Sequence, residues 1–301
     1  MAGRYFALLD DERGVIEITG PDRREFLQGL ITNDTAKLSP ERALYAALLT
    51  PQGRYLHDFF LVEMPEAFLL DAERARLEDL LRRLTLYKLR SRVDLKIARE
   101  MFHIVVAFGE DALQCLGLRP DVGAARSFEG GIAYVDPRLT NLGARIILPR
   151  EVPVASLRNL QFVSAQSDAY DDLRLSLGIP DGSRDLPITK ALLLEAGFDE
   201  LNGIDWNKGC YVGQELTART RYRALIKKRL MPVQVTGPMP PPGSPIMLGE
   251  EDVGEVRSGR DGVALALLRL DALREASRDH PLRAGEARLT PSKPAWANFQ
   301  I

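Results

Sequence analysis

Two apolar runs, Tyr45 to Leu49 and Tyr55 to Val62, stand on either side of Thr50-Pro-Gln-Gly-Arg54. A proline sets one turn dihedral and a glycine two residues on supplies a permissive one, so the interruption predicts a β-hairpin. Around it the first third of the chain alternates strand with helix. Tyr5 to Leu9, Val15 to Ile18, Val93 to Ile97 and His103 to Phe108 read as strands. A helix opening at Pro21 would present Phe26, Leu27 and Leu30 on one face. Ala72 to Leu89, rich in Leu, Arg and Glu at helical spacing, predicts the clearest helix, and Asp111 to Leu116 a short one.

A second strand-and-helix set runs through Ile132 to Val135, Ala144 to Leu148, Asn159 to Ser164 and Ala169 to Leu177. Two such sets imply two lobes of α+β type. The character changes after Gly178. Ile179 to Pro187 is turn-rich, and Glu215 to Lys228 reads as a helix bearing Arg219, Arg221, Arg223, Lys227 and Lys228. Beyond Leu230, short Val- and Leu-bearing strands are separated by Pro238-Met-Pro-Pro-Pro-Gly243, a pattern that predicts a small β-barrel. The expected domains are therefore 1–228, an α+β core, and 229–301, the barrel. A length of 301 residues agrees with more than one packed unit.

Several classes are excluded or disfavoured. Apolar residues at 45% and charged residues at 27% exclude a disordered or fibrous chain. A net charge of −2 gives no general pull on nucleic acid, so none is expected as a partner. The longest apolar run, near Val263 to Leu268, is too short for a membrane span. Arg4, Asp10, Asp11 and Glu12 near the start read neither as a secretory signal nor as a mitochondrial presequence. The two cysteines, Cys115 and Cys210, form no CxxC pair, and with His57, His103 and His280 they predict no metal site. A reducing cytoplasm is the expected setting. There is no phosphate loop, dinucleotide fingerprint, HExxH or GxSxG, and His57 and His103 sit in apolar strands where structural histidines belong. These patterns alone leave function open.

One stretch carries concentrated chemistry: Asp205-Trp-Asn-Lys-Gly-Cys-Tyr-Val-Gly-Gln-Glu215. It sets a thiol between glycines, near a lysine and before a helix, surroundings that favour thiolate at Cys210. Gly209 and Gly213 permit a sharp turn or a close ligand, and Gln214 and Glu215 add hydrogen-bonding groups. From composition alone, however, a lone cysteine is more often a small buried hydrophobe.

The string Lys208-Gly-Cys-Tyr-Val-Gly-Gln-Glu215 resembles the KGCYxGQE signature of the YgfZ family, folate-binding relatives of the glycine-cleavage T-protein. Phe26-Leu-Gln-Gly29 with Thr32-Asn-Asp34, Tyr45, Thr50-Pro-Gln-Gly-Arg54, Leu173-Arg-Leu175, Gly178-Ile-Pro180, Glu195, Ala218-Arg219 and Gly254-Glu-Val-Arg-Ser258 extend the resemblance over nearly the whole chain.

The resemblance implies an aminomethyltransferase-like fold: two intertwined α+β lobes around a central folate opening, plus a C-terminal β-barrel. It implies tetrahydrofolate, or a one-carbon derivative, as ligand and no permanently bound metal or cluster. Cys210 becomes the functional thiol and Asp58 the functional carboxylate, with Tyr45, Asp58, Asp71, Glu195 and Arg219 as folate positions. Lys208, Gly209, Tyr211, Gly213, Gln214 and Glu215 complete the motif. The implied role is an accessory factor in iron–sulfur cluster assembly or repair with transient client or assembly partners, and whether it is also an enzyme stays open. The alternative is a folate-dependent aminomethyl- or methyltransferase, and a folate-sensing module ranks third. Ser176 replaces the glutamate that grips the pterin in the enzymes, which argues against ordinary aminomethyl transfer.

Overall fold

The hairpin occupies the edge of a five-stranded sheet in the computed structural model, which describes residues 3–98, 100–222, 226–276 and 280–300. In chain order the first strands are β1 (Arg4–Leu8), β2 (Arg13–Thr19), β3 (Leu44–Leu49), β4 (Tyr55–Glu63), β5 (Ala67–Glu73) and β6 (Asp94–Ile97). Next come β7 (Phe102–Gly109), β8 (Ala125–Phe128), β9 (Gly131–Val135), β10 (Ala144–Pro149) and β11 (Val163–Ser164). The five-stranded sheet runs β3-β4-β5-β2-β6, and a six-stranded sheet runs β11-β1-β7-β10-β9-β8. Both lie in a first unit, residues 1–49, 56–170 and 201–212, which holds all but the first residue of β4.

Strand alternation gives each sheet two different faces. Ile16 and Ile18 of β2, Leu61 of β4, and Phe68 and Leu70 of β5 pack with Phe26 and Leu27 of helix Arg23–Gln28. Leu77, Leu80 and Leu84 of helix Leu77–Lys88 join the same cluster. In the six-stranded sheet, Val105, Ala107, Ala133, Ala144 and Ile146 face a separate cluster that includes Ala112, Leu116 and Leu157. The alternate positions bring Arg13, Phe60 and Asp71 from one sheet to Tyr134 and Arg145 from the other.

There Asp71 is fully buried. Its Oδ1 accepts from Arg13 Nε at 2.7 Å and its Oδ2 from Arg145 Nη2 at 2.7 Å. Burial pushes this carboxyl up, but the Arg13 and Arg145 guanidinium groups outweigh it and hold it below the usual range. Arg145 also lies 4.1 Å from the Phe60 ring centroid.

The helix predicted over Ala72–Leu89 starts later than the sequence implied. Residues Ala67–Glu73 form β5, Arg74–Arg76 a 3-10 turn, and the helix proper is Leu77–Lys88. The strand was missed because no glycine or proline separates Ala67–Glu73 from the helix that follows, and Ala72 and Glu73 fit the helical spacing. β8 was also missed.

The second unit, residues 50–55, 171–200 and 213–301, contains a closed barrel. Its strands are β12 (Lys228–Thr236), β13 (Pro245–Leu248), β14 (Glu251–Arg260), β15 (Val263–Arg269), β16 (Leu282–Ala284) and β17 (Ala287–Pro291). They neighbour in the order β12-β15-β14-β13-β16-β17, and β17 closes on β12. Met231, Val233, Val256, Leu268 and Leu289 fill its core. Asp185 ties the segment before the barrel to β14, accepting from Ser258 N and Oγ while Arg174 Nη1 donates to it at 2.6 Å.

The helix expected over Glu215–Lys228 spans Gln214–Tyr222, and Lys228 opens β12 instead. Arg223 lies outside the described residues. In the hairpin turn Gly53 adopts φ +73°, and a Cβ there would stand 2.7 Å from the Gly213 carbonyl oxygen. Glycine is required by both conformation and space.

Replacing Asp71 by alanine leaves two guanidinium groups buried without their carboxylate. The expected cost is about 3–5 kcal/mol in urea unfolding, far above that of a surface Asp→Ala control.

Candidate ligand cavity and cysteine loop

Within the first unit, Phe26-Leu-Gln-Gly29 and Thr32-Asn-Asp34 meet residues 202–212 through the backbone. Thr32 Oγ1 donates to Gly203 O at 2.6 Å and Thr32 O accepts from Asp205 N at 3.0 Å. Asn33 Nδ2 donates to Tyr45 O and Asn202 O, both at 2.8 Å. Lys208 Nζ donates to the carbonyls of Ile31 (2.7 Å) and Asn33 (2.6 Å), and Val212 N to Gly29 O at 3.1 Å. Burial lowers the Lys208 ammonium to about 8. This geometry changes the role expected for Lys208. Its ammonium clamps the loop to two carbonyl oxygens and stacks 5.2 Å from the Tyr211 ring centroid.

Beside this junction lies a cavity of about 210 Å³. Tyr45, Asn33, Lys37 and Arg42 form one side, and Asn202, Asp205, Trp206 and Asn207 contribute another. Asp205 is buried and its Oδ2 pairs with half-exposed Lys37 at 2.5 Å, while its Oδ1 accepts from Asn207 N. Tyr45 donates its hydroxyl to Asp58 Oδ2 at 2.9 Å. Burial, then the Asp58 charge, raise the Tyr45 phenol well above its ordinary value, so it remains a donor. The Arg138 guanidinium, held by Asp136, lies 5.5 Å from the Tyr45 ring centroid.

Tyr45 and the segment just before the cysteine thus share a cavity wall, with Asp58 bonded to Tyr45. Cys210 is exposed, three residues beyond Asn207. Asp71 is enclosed by Arg13 and Arg145. Glu195 and Arg219 belong to the second unit, Arg219 exposed on helix Gln214–Tyr222. Glu195 is half-buried in another cavity of about 220 Å³, also lined by Lys190, Lys228 and Arg257, and burial pushes its carboxyl up. Gln214 is half-buried and Glu215 exposed. The residues overlooked from sequence are Lys37, Asp205 and Trp206. The last two lie within the stretch already singled out, so adjacency to Cys210 was the available signal.

Residues 10–117 match the GCVT N-terminal domain, and residues 227–299 match the CAF17 C-terminal beta-barrel domain. The mouse protein named iron–sulfur cluster assembly factor IBA57, mitochondrial, is 34% identical, the match covering 88% of this chain and 77% of that protein. Its human counterpart is 33% identical over 95% of this chain and 83% of its own length. The chain belongs to the IBA57 family of iron–sulfur cluster assembly factors.

The fold of this IBA57-family chain is that of the glycine-cleavage aminomethyltransferases. Aminomethyltransferase T from Bartonella henselae superposes with a TM-score of 0.76 over 96% of this chain and 85% of its own, at 17% identity. The mitochondrial names of the relatives overturn the cytoplasmic setting expected from the sequence. Few cysteines indicate a reducing compartment without saying which one. Among the described residues no helix is long and apolar enough to cross a membrane, and no group of three or more His, Cys, Asp or Glu is placed to hold a metal ion.

His57, beside Asp58, is buried, with Nε2 3.0 Å from Asp79 Oδ2. Burial, then Arg76, depress it to about 4. The unfolded chain takes up this proton near pH 6.5 and the native protein only near 4, so stability falls as pH drops through that window. His57→Gln is expected to flatten the decline by up to about 3 kcal/mol, measured as unfolding free energy between pH 7 and 4. Lys208→Met is expected to cost about 1–3 kcal/mol and to speed amide exchange at 205–212.

Proposed function

We propose that the chain binds a reduced folate in the first-unit cavity and serves iron–sulfur cluster assembly through the exposed thiol of Cys210. The observation that carries this reading is the wall shared by Tyr45 and residues 202–207, which lead directly into Lys208-Gly-Cys-Tyr-Val-Gly-Gln-Glu215. The relatives' names and the resemblance to the YgfZ signature agree on cluster assembly.

The donor set fits a reduced pteridine with an acidic tail. Trp206 offers a half-exposed flat wall, Asp205 a carboxylate for ring donors, and Lys37 and Arg42 cations for glutamyl carboxylates, with fully buried Tyr45 as backing. At about 210 Å³ the cavity suits a ring system rather than a whole folate. Folate, when bound, supplies a carrier for one-carbon units. The chain's own part is to hold the ring beside Trp206, while Tyr45, fixed by Asp58, backs the cavity from within the core. Glu195 and Arg219 enter the reading through the resemblance alone.

A cluster normally takes four ligands, so Cys210 offers one and a client or assembly partner the others, in a transient contact. Aminomethyl transfer is the weaker reading. It asks Asp58 to meet a substrate amine, yet that carboxylate is buried and receives the Tyr45 hydroxyl. Ser176, where the enzymes carry the pterin-gripping glutamate, is exposed and donates to Leu173 O.

Calorimetric titration of tetrahydrofolate into the full chain is expected to show saturable binding, weakened about tenfold or more in Lys37→Ala. Cys210→Ala is expected to keep that binding and lose most of its support for maturation of an apo iron–sulfur enzyme. No heat of binding sinks the folate half of the reading; undiminished maturation sinks the thiol half.

A further inference from the structure

The cavity of the second unit has a charge pattern that the cluster-assembly role leaves unused. It is formed by the 185–196 segment and by barrel strands β12, β14 and β15. Three of its charged side chains, Glu195, Lys190 and Lys228, make no hydrogen bond or ion pair among the described residues. Glu195 is half-buried, and the cations whose fields reach it, Lys228 first, then Arg54, Arg257 and Arg229, all lie outside ion-pair distance. The other charges lining the cavity are engaged. Arg257 donates to Glu255, and Asp185 takes Arg174 and Ser258.

Glu195 is thus a half-buried carboxylate with no donor, with the Lys228 ammonium across a gap and exposed Lys190 on the same cavity. Burial penalises the Glu195 charge, and the gap keeps Lys228 from compensating it at contact distance. A ligand with an ammonium at one end and a carboxylate at the other would satisfy both sides with charge-assisted hydrogen bonds. The remaining wall is apolar, including Leu186, Leu192, Leu230 and Leu267, and about 220 Å³ limits the guest to a small molecule.

We infer that this cavity binds a small zwitterion of the α-amino-acid class, its ammonium on Glu195 and its carboxylate on Lys228 and Lys190. The inference does not rest on folate binding in the first unit.

The test is calorimetric titration of the full chain with glycine, alanine and leucine, with methylamine and acetate as single-charge controls. At least one amino acid is expected to bind, and both controls at least about tenfold more weakly, since each lacks one charge-assisted contact. Glu195→Gln and Lys228→Met, each checked for an unchanged melting temperature, should each weaken binding by about tenfold or more. Leu192→Trp, which fills the cavity without touching the charges, should abolish it. The inference is overturned if no amino acid binds, if acetate binds as well as the amino acids do, or if the variants bind like the parent. Competition by tetrahydrofolate at this site would assign the cavity to the folate instead and equally overturn it.

Discussion

Between the two sheets of the first unit a carboxylate with no solvent exposure is gripped from both sides. Asp71 belongs to β5, Arg13 to the adjacent β2, and Arg145 to β10 of the other sheet. Such a charge is tolerated only with its partners in place, so each sheet's register is coupled to the other's. A slip of β5 by one residue would send Asp71 into the apolar cluster around Phe68 and Leu70 and leave both arginines unpaired. Phe60, against Arg145, Arg13 and Arg138, fills the space around the charges with a ring face. The same layer carries Tyr45, which packs 5.2 Å from Phe60 between ring centroids. The cavity wall is therefore an extension of the ionic core, and the Tyr45 hydroxyl owes its position to that packing as well as to Asp58.

The second constraint is a knot of hydrogen bonds to main-chain atoms between stretches some 170 residues apart. Thr32, Asn33, Ile31 and Gly29 supply or accept bonds with Gly203, Asn202, Asp205, Lys208 and Val212. Bonds to backbone atoms depend on chain geometry more than on side-chain identity. An irregular loop is held here by short polar side chains, Thr32 and Asn33, and by one lysine. The cost of burying that lysine appears as its lowered ammonium pKa, offset by two close carbonyl oxygens.

Legibility in the sequence followed locality. The hairpin at 50–54 and the barrel were readable because proline and glycine act on their own neighbours. β5 was unreadable because, unlike the buried strands that flank the 50–54 turn, it runs into the next helix with no glycine or proline between them. Asp71 drew a ligand-binding expectation, yet nothing within several residues of it reveals Arg13 or Arg145, the partners that enclose it. The Lys208 environment was judged by proximity to Cys210 along the chain, whereas its carbonyl partners lie 175 and 177 positions away. Asp205 and Trp206 could have been named with the motif that follows them, since a loop that brings a thiol to a site brings its flanks too. The compartment was misjudged for a different reason: residue chemistry reports redox conditions, not addresses.

The anchoring of the loop bears on how a thiol can serve a partner. Lys208 and Val212 are both tied down, and between them Gly209 and Cys210 are exposed and Tyr211 is half-buried. Gly209 has open space where a side chain would project. A thiol on a loose loop would have to be ordered at each encounter, at roughly 1–2 kcal/mol per residue fixed. A thiol buried among apolar groups would need local opening before it could be reached. Here the three residues span two fixed points, so most of that ordering is already present in the folded chain. In the proposed role this favours brief ligation of a cluster held partly by another protein. It also explains why the lysine of the signature is worth burying: its value lies in the position it imposes two residues later, more than in the charge it carries.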